Sequence, residues 1–189
     1  MRYGSPSDNR IRSPSIEPED RMNWQNPNEL LSHVNLQPNW VVADVGCGRG
    51  FFTIPLAHRV QKVYGIDVKQ EKLDGLKSNL EVLQLTNIIP LLGDTKLIPL
   101  DNKIVDFLIS INTLHEFKNK DYMINEMRRV LKPGGHALIC DFEKRYTGFG
   151  PPVSIRLSRN EATTLFENIG FKILQIHPLK YHYLIILSK

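Results

Sequence analysis

The sequence predicts an α/β fold built on a doubly wound, mostly parallel sheet. From Trp24 onward, short apolar runs alternate with segments of helical periodicity, as strands and helices do in such folds. The apolar runs are continuous and bounded by turn residues, which is typical of strands buried on both faces. The last two runs are joined by only four residues, His177 to Lys180. That connection is too short for a crossover, so we expect an antiparallel hairpin there.

Each element is predicted from its own residues. Apolar residues spaced three or four apart predict helices over residues 28–34, 51–59, 70–85, 122–131 and 160–168. Short apolar runs predict strands over residues 41–45, 62–66, 88–92, 105–111, 136–140, 171–176 and 181–187. Pro55 fits the first turn of its helix, where a backbone N–H is not needed. Gly170 is a typical residue to end the last helix.

Composition bounds the class of protein. The 189 residues are enough for one domain, and the hydrophobic (41%) and charged (23%) fractions are ordinary for a globular chain. Residues 1–21 are polar and lack an apolar period, so we expect an N-terminal arm followed by a single domain over residues 22–189. No apolar run is long enough for a membrane span, and the polar start does not resemble a signal peptide.

Cysteine content and net charge indicate the cellular compartment and the kinds of partner to expect. Cys47 and Cys140 have no zinc-ligand spacing and form no disulfide framework, so we expect a cytoplasmic protein without a metal site. The net charge is +4, with basic residues scattered rather than clustered. Nucleic acid is therefore permitted as a partner but not indicated. We expect a monomer or a homodimer.

The stretch VVADVGCGRGFF places Gly46, Gly48 and Gly50 directly after the first predicted strand. Glycine permits positive φ and lets a ligand approach the backbone, and the helix that follows offers unpaired N–H groups. We expect these glycines to clear space for a ligand. A dinucleotide fingerprint requires glycine at position 51, which is Phe51 here, and no phosphate-loop Lys-Ser or Lys-Thr pair follows.

Two carboxylates follow the next strands. Asp67 lies at the carboxyl end of VYGIDV, where it can accept hydrogen bonds from both hydroxyls of a ribose. Asp94, followed by Thr95, ends the third strand, and its carboxylate can accept from an exocyclic amine such as that of adenine. Each residue also has a purely structural interpretation, Asp67 as a helix cap and Asp94 as a turn residue.

The ordered set of these motifs resembles class I S-adenosylmethionine (SAM)-dependent methyltransferases, closest to the small enzymes of ubiquinone and menaquinone biosynthesis. The residues that carry the resemblance are DVGCGRG at 44–50, Asp67, Gly93-Asp94, and LKPGG at 131–135. It covers residues 24–189. It implies a Rossmann-like sheet of seven strands in the order 3-2-1-4-5-7-6, with an antiparallel last strand.

The resemblance also implies roles for individual residues around SAM as the cofactor. Asp44 and the glycines Gly46, Gly48 and Gly50 would hold the methionine part, with Cys47 contributing through its backbone. The other implied contacts are Asp67 with the ribose, Val68 packed on the adenine, Asp94 and Thr95 at the adenine edge, and Asn112 and Thr113 beside the sulfonium.

Methyl transfer from a sulfonium is an in-line displacement, so most of the catalytic work is alignment. A base is needed only when the acceptor must lose a proton. The candidate catalytic residues are His115 and Glu116 after the fourth strand and Asp141 after the fifth. Alternatively, His115 and Glu116 only open a helix, and Asp141 is surface charge.

We therefore predict an enzyme, a SAM-dependent methyltransferase acting on a small molecule. The alternatives are an RNA or protein methyltransferase and a non-catalytic SAM-binding protein, since a fold does not prove turnover. A nucleotide-dependent oxidoreductase is opposed by Phe51 and by the terminal hairpin. Met22, Trp24 and residues 148–152 are candidates to close over the pocket. The favoured alternatives are core packing for Trp24 and an ordinary connection for residues 148–152.

Overall fold

The computed structural model describes residues 18–94 and 96–189, and its elements alternate as the sequence predicts. The helices are α1 (Pro18–Trp24), α2 (Pro27–Ser32), α3 (Thr53–Ala57), α4 (Gln70–Leu83), α5 (Lys120–Val130) and α6 (Arg159–Asn168). The strands are β1 (Val41–Val45), β2 (Lys62–Asp67), β3 (Ile88–Leu92), β4 (Val105–Ile111), β5 (Leu131–Phe142), β6 (Lys172–Pro178) and β7 (His182–Ser188). Short 3₁₀ turns cover Leu114–Glu116 and Val153–Ile155.

The seven strands form one sheet in the order β3-β2-β1-β4-β5-β7-β6. Strands β1 to β5 pair in parallel, whereas β7 is antiparallel to both β5 and β6. The predicted fold class, strand order and terminal hairpin are therefore confirmed. Strand order reverses between β1 and β4, where an open α/β sheet binds its ligands at the carboxyl ends of the strands.

The sheet separates two apolar cores, because successive side chains of a strand point to opposite faces. On one face, Val42 and Phe107 pack with Leu31, Leu56 and Leu76 from the helices α2 to α4. The opposite face packs against α5 and α6; its members include Ala43, Leu108, Ile139, Ile185, Ile124, Met127 and Phe166. With both faces covered, β1 and β4 are rigid supports for the loops that follow them.

Several predicted boundaries shift by a few residues for local reasons. The Asn119 side chain accepts a hydrogen bond from the Tyr122 backbone, which starts α5 at Lys120 rather than at residue 122. Asn26 caps α2 in the same way, with Pro27 in its first turn. The helix predicted over residues 51–59 is only Thr53–Ala57, since the turns of the glycine loop extend to Phe52.

The start of the described chain is helical across the predicted boundary between arm and domain. Helix α1 begins at Pro18, so residues 18–21 continue into the segment that packs on the sheet. Residues 1–17 lie outside the described part of the chain, and the arm remains a prediction. Within residues 18–94 and 96–189, no helix has the length and apolar character needed to cross a bilayer.

Candidate functional site

A cavity of about 1120 Å³ opens at the carboxyl ends of β1, β2 and β4. It lies at the reversal of strand order, as expected for this sheet topology. The predicted cofactor residues converge on it; those that line it are Asp44, Gly46, Cys47, Gly48, Gly50, Asp67, Val68, Asp94, Asn112 and Thr113. Thr95 lies outside the described residues.

The glycine loop after β1 has a different packing role from the one expected. All three glycines have positive φ, at +87° for Gly46, +56° for Gly48 and +97° for Gly50. A Cβ on Gly46 would collide with the Thr113 side chain, and one on Gly50 would collide with Leu76. Only at Gly48 is the space open, with no heavy atom within 4 Å. Two of the three glycines therefore make room for the protein's own side chains, and Gly48 alone opens toward the cavity.

Asp67 joins the tip of β2 to the glycine loop. Its Oδ2 accepts from the Gly48 backbone N–H at 2.9 Å, and its Oδ1 accepts from the Lys69 backbone N–H at 2.9 Å. Each carboxylate oxygen has a second lone pair, so two further donors can bind. Next to it Val68 is 53% exposed within the cavity lining, an apolar surface that a flat ring could cover.

Asp94 forms the far wall of the cavity after β3. Its Oδ1 accepts from the backbone N–H groups of Lys96 and Leu97, which fixes the turn. The turn interpretation of Asp94 is thus satisfied by one carboxylate oxygen, while the residue also lines the cavity. Leu97, half exposed, provides a second apolar surface in the lining.

Asp44, at the end of β1, is the most buried charged group of the cavity. It is 2% exposed, and its Oδ2 accepts from the Thr53 hydroxyl at 2.6 Å. Burial raises the pKa of Asp44 from 3.8 to about 7, opposed by the Thr53 hydrogen bond and by the positive charge of Arg21. Between about pH 4 and pH 7, the folded protein therefore keeps a proton on Asp44 that the unfolded chain has lost.

The backbone N–H and carbonyl of Cys47 both form hydrogen bonds within the protein. Its N–H donates to the Ile66 carbonyl at 3.0 Å, as does the N–H of Gly46 at 2.8 Å. The Cys47 carbonyl accepts from the Gly50 N–H and retains one lone pair. Any backbone contribution of Cys47 to a ligand is thus restricted to its carbonyl oxygen.

Helix α1 and the residue that follows it, Gln25, supply cavity and support residues that sequence reasoning missed. Arg21 lines the cavity, and its guanidinium lies over the Phe51 ring, 4.4 Å from the ring centroid. Both Nε and Nη2 of Arg21 donate to Gln25 Oε1, at 2.9 and 2.8 Å. Gln25, which is almost fully buried, exchanges two hydrogen bonds with the Asn112 side chain, at 2.9 and 3.2 Å. The only sequence signal was the i, i+4 spacing of Arg21 and Gln25, within a polar segment without an apolar period.

The predicted catalytic residues separate into a buried pair and an exposed carboxylate. His115 Nδ1 lies 2.7 Å from Asp141 Oδ1, and Asp141 Oδ2 accepts from the His115 backbone N–H at 3.0 Å. Both side chains are almost fully buried, and neither lines the cavity. Asp141 is therefore not surface charge. Glu116 lines the cavity with a side chain that is 64% exposed.

Of the segments predicted as candidates to cover the pocket, one lies at the cavity and the others pack elsewhere. Met22 lines the cavity, but Trp24 does not. Trp24 instead stacks on the His182 ring at 5.3 Å and packs against Phe149 at 4.9 Å. The segment 148–152 is tied down by Arg156, whose guanidinium donates to the carbonyls of Phe149 and Pro151 at 3.0 and 2.8 Å. None of residues 148–152 lines the cavity, so packing explains this segment and Trp24.

Comparison with known proteins agrees with this geometry. A family model described as a methyltransferase domain matches residues 36–149. A demethylmenaquinone methyltransferase of Bacillus cereus (strain B4264) is 32% identical over 115 residues, covering 59% of this chain and 48% of the relative. The chain thus spans about half the length of the curated relatives it matches.

Solved structures share nearly the whole domain. A SAM-dependent methyltransferase from Aquifex aeolicus is 28% identical with a TM-score of 0.85, and the match covers 92% of this chain and 94% of that chain. An S-adenosylmethionine-dependent methyltransferase from Mesorhizobium loti is 15% identical with a TM-score of 0.71, covering 86% and 96%. The second likeness shows the shared fold alone. Since the family model matches more than half of the residues, the predicted resemblance is confirmed: the chain belongs to the class I SAM-dependent methyltransferase family.

Proposed function

We propose that this protein transfers the methyl group of SAM to a small-molecule acceptor. The observation that carries the proposal is the cavity at the switch point of the sheet, which gathers three carboxylates from the ends of adjacent strands: Asp44, Asp67 and Asp94. SAM is a nucleoside joined to an amino acid, and it would present three kinds of donor to these carboxylates: the ribose hydroxyls, the adenine amine and the ammonium group of the amino acid. Carboxylates are the acceptors suited to all three.

The outer part of the cavity fits an adenosine. Asp67 has acceptor capacity left after its bonds to Gly48 and Lys69, which suits the two ribose hydroxyls. Val68 and Leu97 offer exposed apolar surface for the adenine ring. Asp94 would accept from the adenine amine, and we retain Thr95 as an expected neighbour of that edge.

The inner part fits the methionine end. Asp44 would face the ammonium group with its carboxylate, and the Cys47 carbonyl, which retains one lone pair, would be a second acceptor in the cavity lining. Gly48 provides open space for the chain of the ligand. Asn112 and Thr113 line the cavity just beyond β4. The Asn112 side chain is already bonded to Gln25, and its backbone N–H donates to the Cys140 carbonyl at 2.8 Å, so the Asn112 carbonyl oxygen is the group left for the ligand.

The chemistry requires little beyond alignment. SAM supplies a methyl group already activated by its sulfonium charge. The chain would contribute the rigid β1 and β4 ends that fix the donor direction and exclude water. Glu116 is the candidate to accept a proton from an acceptor hydroxyl. His115 and Asp141 would act as positioning residues, since their pair holds the 3₁₀ turn that carries Glu116.

Two finer points complete the proposal. Demethylmenaquinone is the first acceptor to test, because a curated relative is named a demethylmenaquinone methyltransferase. A reducing cytoplasm is proposed as the compartment, supported by the two buried thiols of Cys47 and Cys140, which are not paired with each other.

The proposal is tested by binding and turnover with purified protein. Calorimetric titration with SAM, S-adenosylhomocysteine and NAD should show binding of the first two only. Incubation with SAM and a panel of quinol, phenol and amine acceptors should then yield S-adenosylhomocysteine in an acceptor-dependent manner. Preference for NAD would contradict the proposal. Binding without turnover across the panel, together with methylation of added RNA or protein, would redirect it to a macromolecular acceptor.

The elevated pKa of Asp44 leads to a specific pH dependence of binding. In the free protein the group is mostly protonated below its pKa of about 7, whereas an adjacent ammonium favours the carboxylate. We expect affinity for S-adenosylhomocysteine to rise as pH increases from about 5.5 to about 7.5, with up to about one proton released per ligand near pH 6. Calorimetry in two buffers of different ionisation enthalpy measures that release.

The control for this experiment is Asp44→Asn, in which proton release near pH 6 should disappear. The stability of the free protein changes in the opposite direction. The contribution of protonated Asp44 is complete below its unfolded pKa of 3.8 and is lost as pH rises to about 7. Equal proton release by wild type and Asp44→Asn would exclude Asp44 as the group facing the ammonium.

A further inference from the structure

We propose that a second cavity, at the opposite edge of the sheet from the candidate site, binds the phosphate group of a small soluble molecule. This cavity, the basic pocket, has a volume of about 260 Å³. The residues that line it are Asn102, Lys103, Asn125, Arg128, Arg129 and Lys189. Every one of these side chains carries a hydrogen-bond donor, and the lysines and arginines are cations, so the lining suits an oxyanion.

The basic pocket lies where β4 and β5 begin. Lys103 precedes β4, and Arg128 and Arg129 belong to the last turn of α5, which leads directly into β5. Lys189 follows β7, which runs antiparallel to β5 and therefore ends near the start of β5. The cavity of the candidate site opens at the carboxyl ends of the parallel strands instead. The two cavities are therefore separated by the length of the sheet, and the inference does not depend on the proposed function.

Two of the four cations are bound to the end of α5. Arg129 Nε donates to Glu126 Oε1 at 2.7 Å, and Arg129 Nη1 donates to Asn102 Oδ1 at 2.8 Å. Lys189 Nζ donates to the carbonyl of Leu131, the residue that ends the helix, at 2.6 Å. Since cations stabilise the carboxyl end of a helix, this role explains both side chains. It also leaves Nδ2 of Asn102 as a donor for another partner.

Arg128 and Lys103 have no such role. Within the described part of the chain, neither side chain forms an ion pair, and the Arg128 guanidinium lies against Gly170 with its Nε buried and without a hydrogen-bond partner. The residues that adjoin both positions along the chain and in the sheet are all described. A partly desolvated guanidinium attracts an anion more strongly than one in water, and its planar fork matches phosphate oxygens.

The cations of the basic pocket repel one another. Burial, together with the charges of Arg128 and Lys103, lowers the pKa of Lys189. Arg129 differs, because its hydrogen bond with Glu126 raises its pKa. Three positive charges therefore lie within interaction range around one cavity. A phosphate monoester carries a charge of about −1.5 to −2 at pH 7, so it would offset much of this repulsion while accepting from several donors at once.

The backbone at Lys103 allows the cation to be removed without disturbing the fold. Lys103 has a φ of +58°, a left-handed conformation that glycine adopts without strain. Its backbone N–H donates to the Arg129 carbonyl at 3.0 Å, a bond that glycine retains. We therefore expect Lys103→Gly to be at least as stable as wild type. Gln84→Gly, at a φ of +54° after α4, makes the same backbone change away from both cavities.

The test is a titration of isotope-labelled protein with inorganic phosphate at constant ionic strength, with chloride as the balancing anion, followed by two-dimensional NMR. We expect saturable shifts of the Lys103 backbone N–H and the Arg128 Nε–H, with a dissociation constant on the order of 1 mM. Lys103→Gly and Arg128→Met should each weaken binding by at least about 10-fold. Gln84→Gly and Arg59→Met, at positions that line neither cavity, should bind phosphate as wild type does.

Three results would overturn the inference. Equal phosphate affinity in wild type, Lys103→Gly and Arg128→Met would show that these cations do not bind the anion. Shifts confined to residues of the candidate site would place phosphate in the other cavity. Sedimentation of the wild-type protein with phosphatidylglycerol vesicles, without any response to free phosphate, would assign the cations to a membrane surface. Because none of these measurements requires SAM, their failure leaves the proposed function intact.

Discussion

Substitution of Asp67 by alanine should weaken S-adenosylhomocysteine binding by about 100-fold or more, since hydrogen bonds to a charged acceptor contribute about 1.5–3 kcal/mol each. Two ribose hydroxyls would lose their acceptor at the tip of β2. The Gly48 N–H, which donates to Asp67 Oδ2 at 2.9 Å, would lose its partner at the same time. The loop would then be less well fixed over the ligand. Calorimetric titration of the purified variant measures the change.

Two further variants make this result specific. Asp67→Asn keeps the shape of the side chain but directs an amide N–H toward the Gly48 or the Lys69 N–H, so it should also bind poorly. Asp74→Ala, in contrast, removes an exposed carboxylate of α4 that does not line the cavity and should bind as wild type does. If both Asp67 variants bound S-adenosylhomocysteine with wild-type affinity, the placement of the ribose at the tip of β2 would be wrong.

Asp141→Asn should lower the free energy of unfolding by about 2–4 kcal/mol, as expected when a buried hydrogen-bonded carboxylate loses its charge. Its two oxygens accept from the His115 ring nitrogen at 2.7 Å, the His115 backbone N–H at 3.0 Å and the Phe142 backbone N–H at 2.7 Å. An asparagine amide would face at least one of these donors with another donor. Urea denaturation followed by circular dichroism measures the difference.

The matched control for Asp141→Asn is Asp101→Asn, the same change at an exposed position, which should alter stability by less than about 0.5 kcal/mol. The loss in Asp141→Asn should be accompanied by lower kcat in any turnover assay, because the 3₁₀ turn carrying Glu116 is anchored by this pair. Unchanged stability would mean that the carboxylate is dispensable for holding the loop after β4.

The architecture was predictable because its signals are local in the sequence. Continuous apolar runs indicated buried strands, and the four residues from His177 to Lys180 required an antiparallel hairpin. The cavity was also predictable, since the carboxyl ends of parallel strands meet at one edge and bring Asp44, Asp67 and Asp94 together. Each of these inferences needs only the order of elements along the chain.

Features that depend on contacts between distant residues were not predictable. The collision partners of Gly46 and Gly50 are Thr113 and Leu76, far away in sequence, so the same glycine pattern could equally indicate clearance for a ligand. The Gln25–Asn112 hydrogen bonds span 87 positions. Short polar helices such as α1 carry no periodic apolar signal, and their position is determined only by packing.

The position of β7 has a consequence for how the protein folds as it is synthesised. Of the described strands, β7 emerges last from the ribosome, yet it lies between β5 and β6 and is buried along most of its length. Until it emerges, β5 has an open, apolar edge, and β6 has no neighbour. The nascent sheet is therefore exposed to edge-to-edge association from the emergence of β5 until that of β7, an interval in which chaperones can protect unpaired strands. Early release of the chain before residue 182 would leave that edge permanently open.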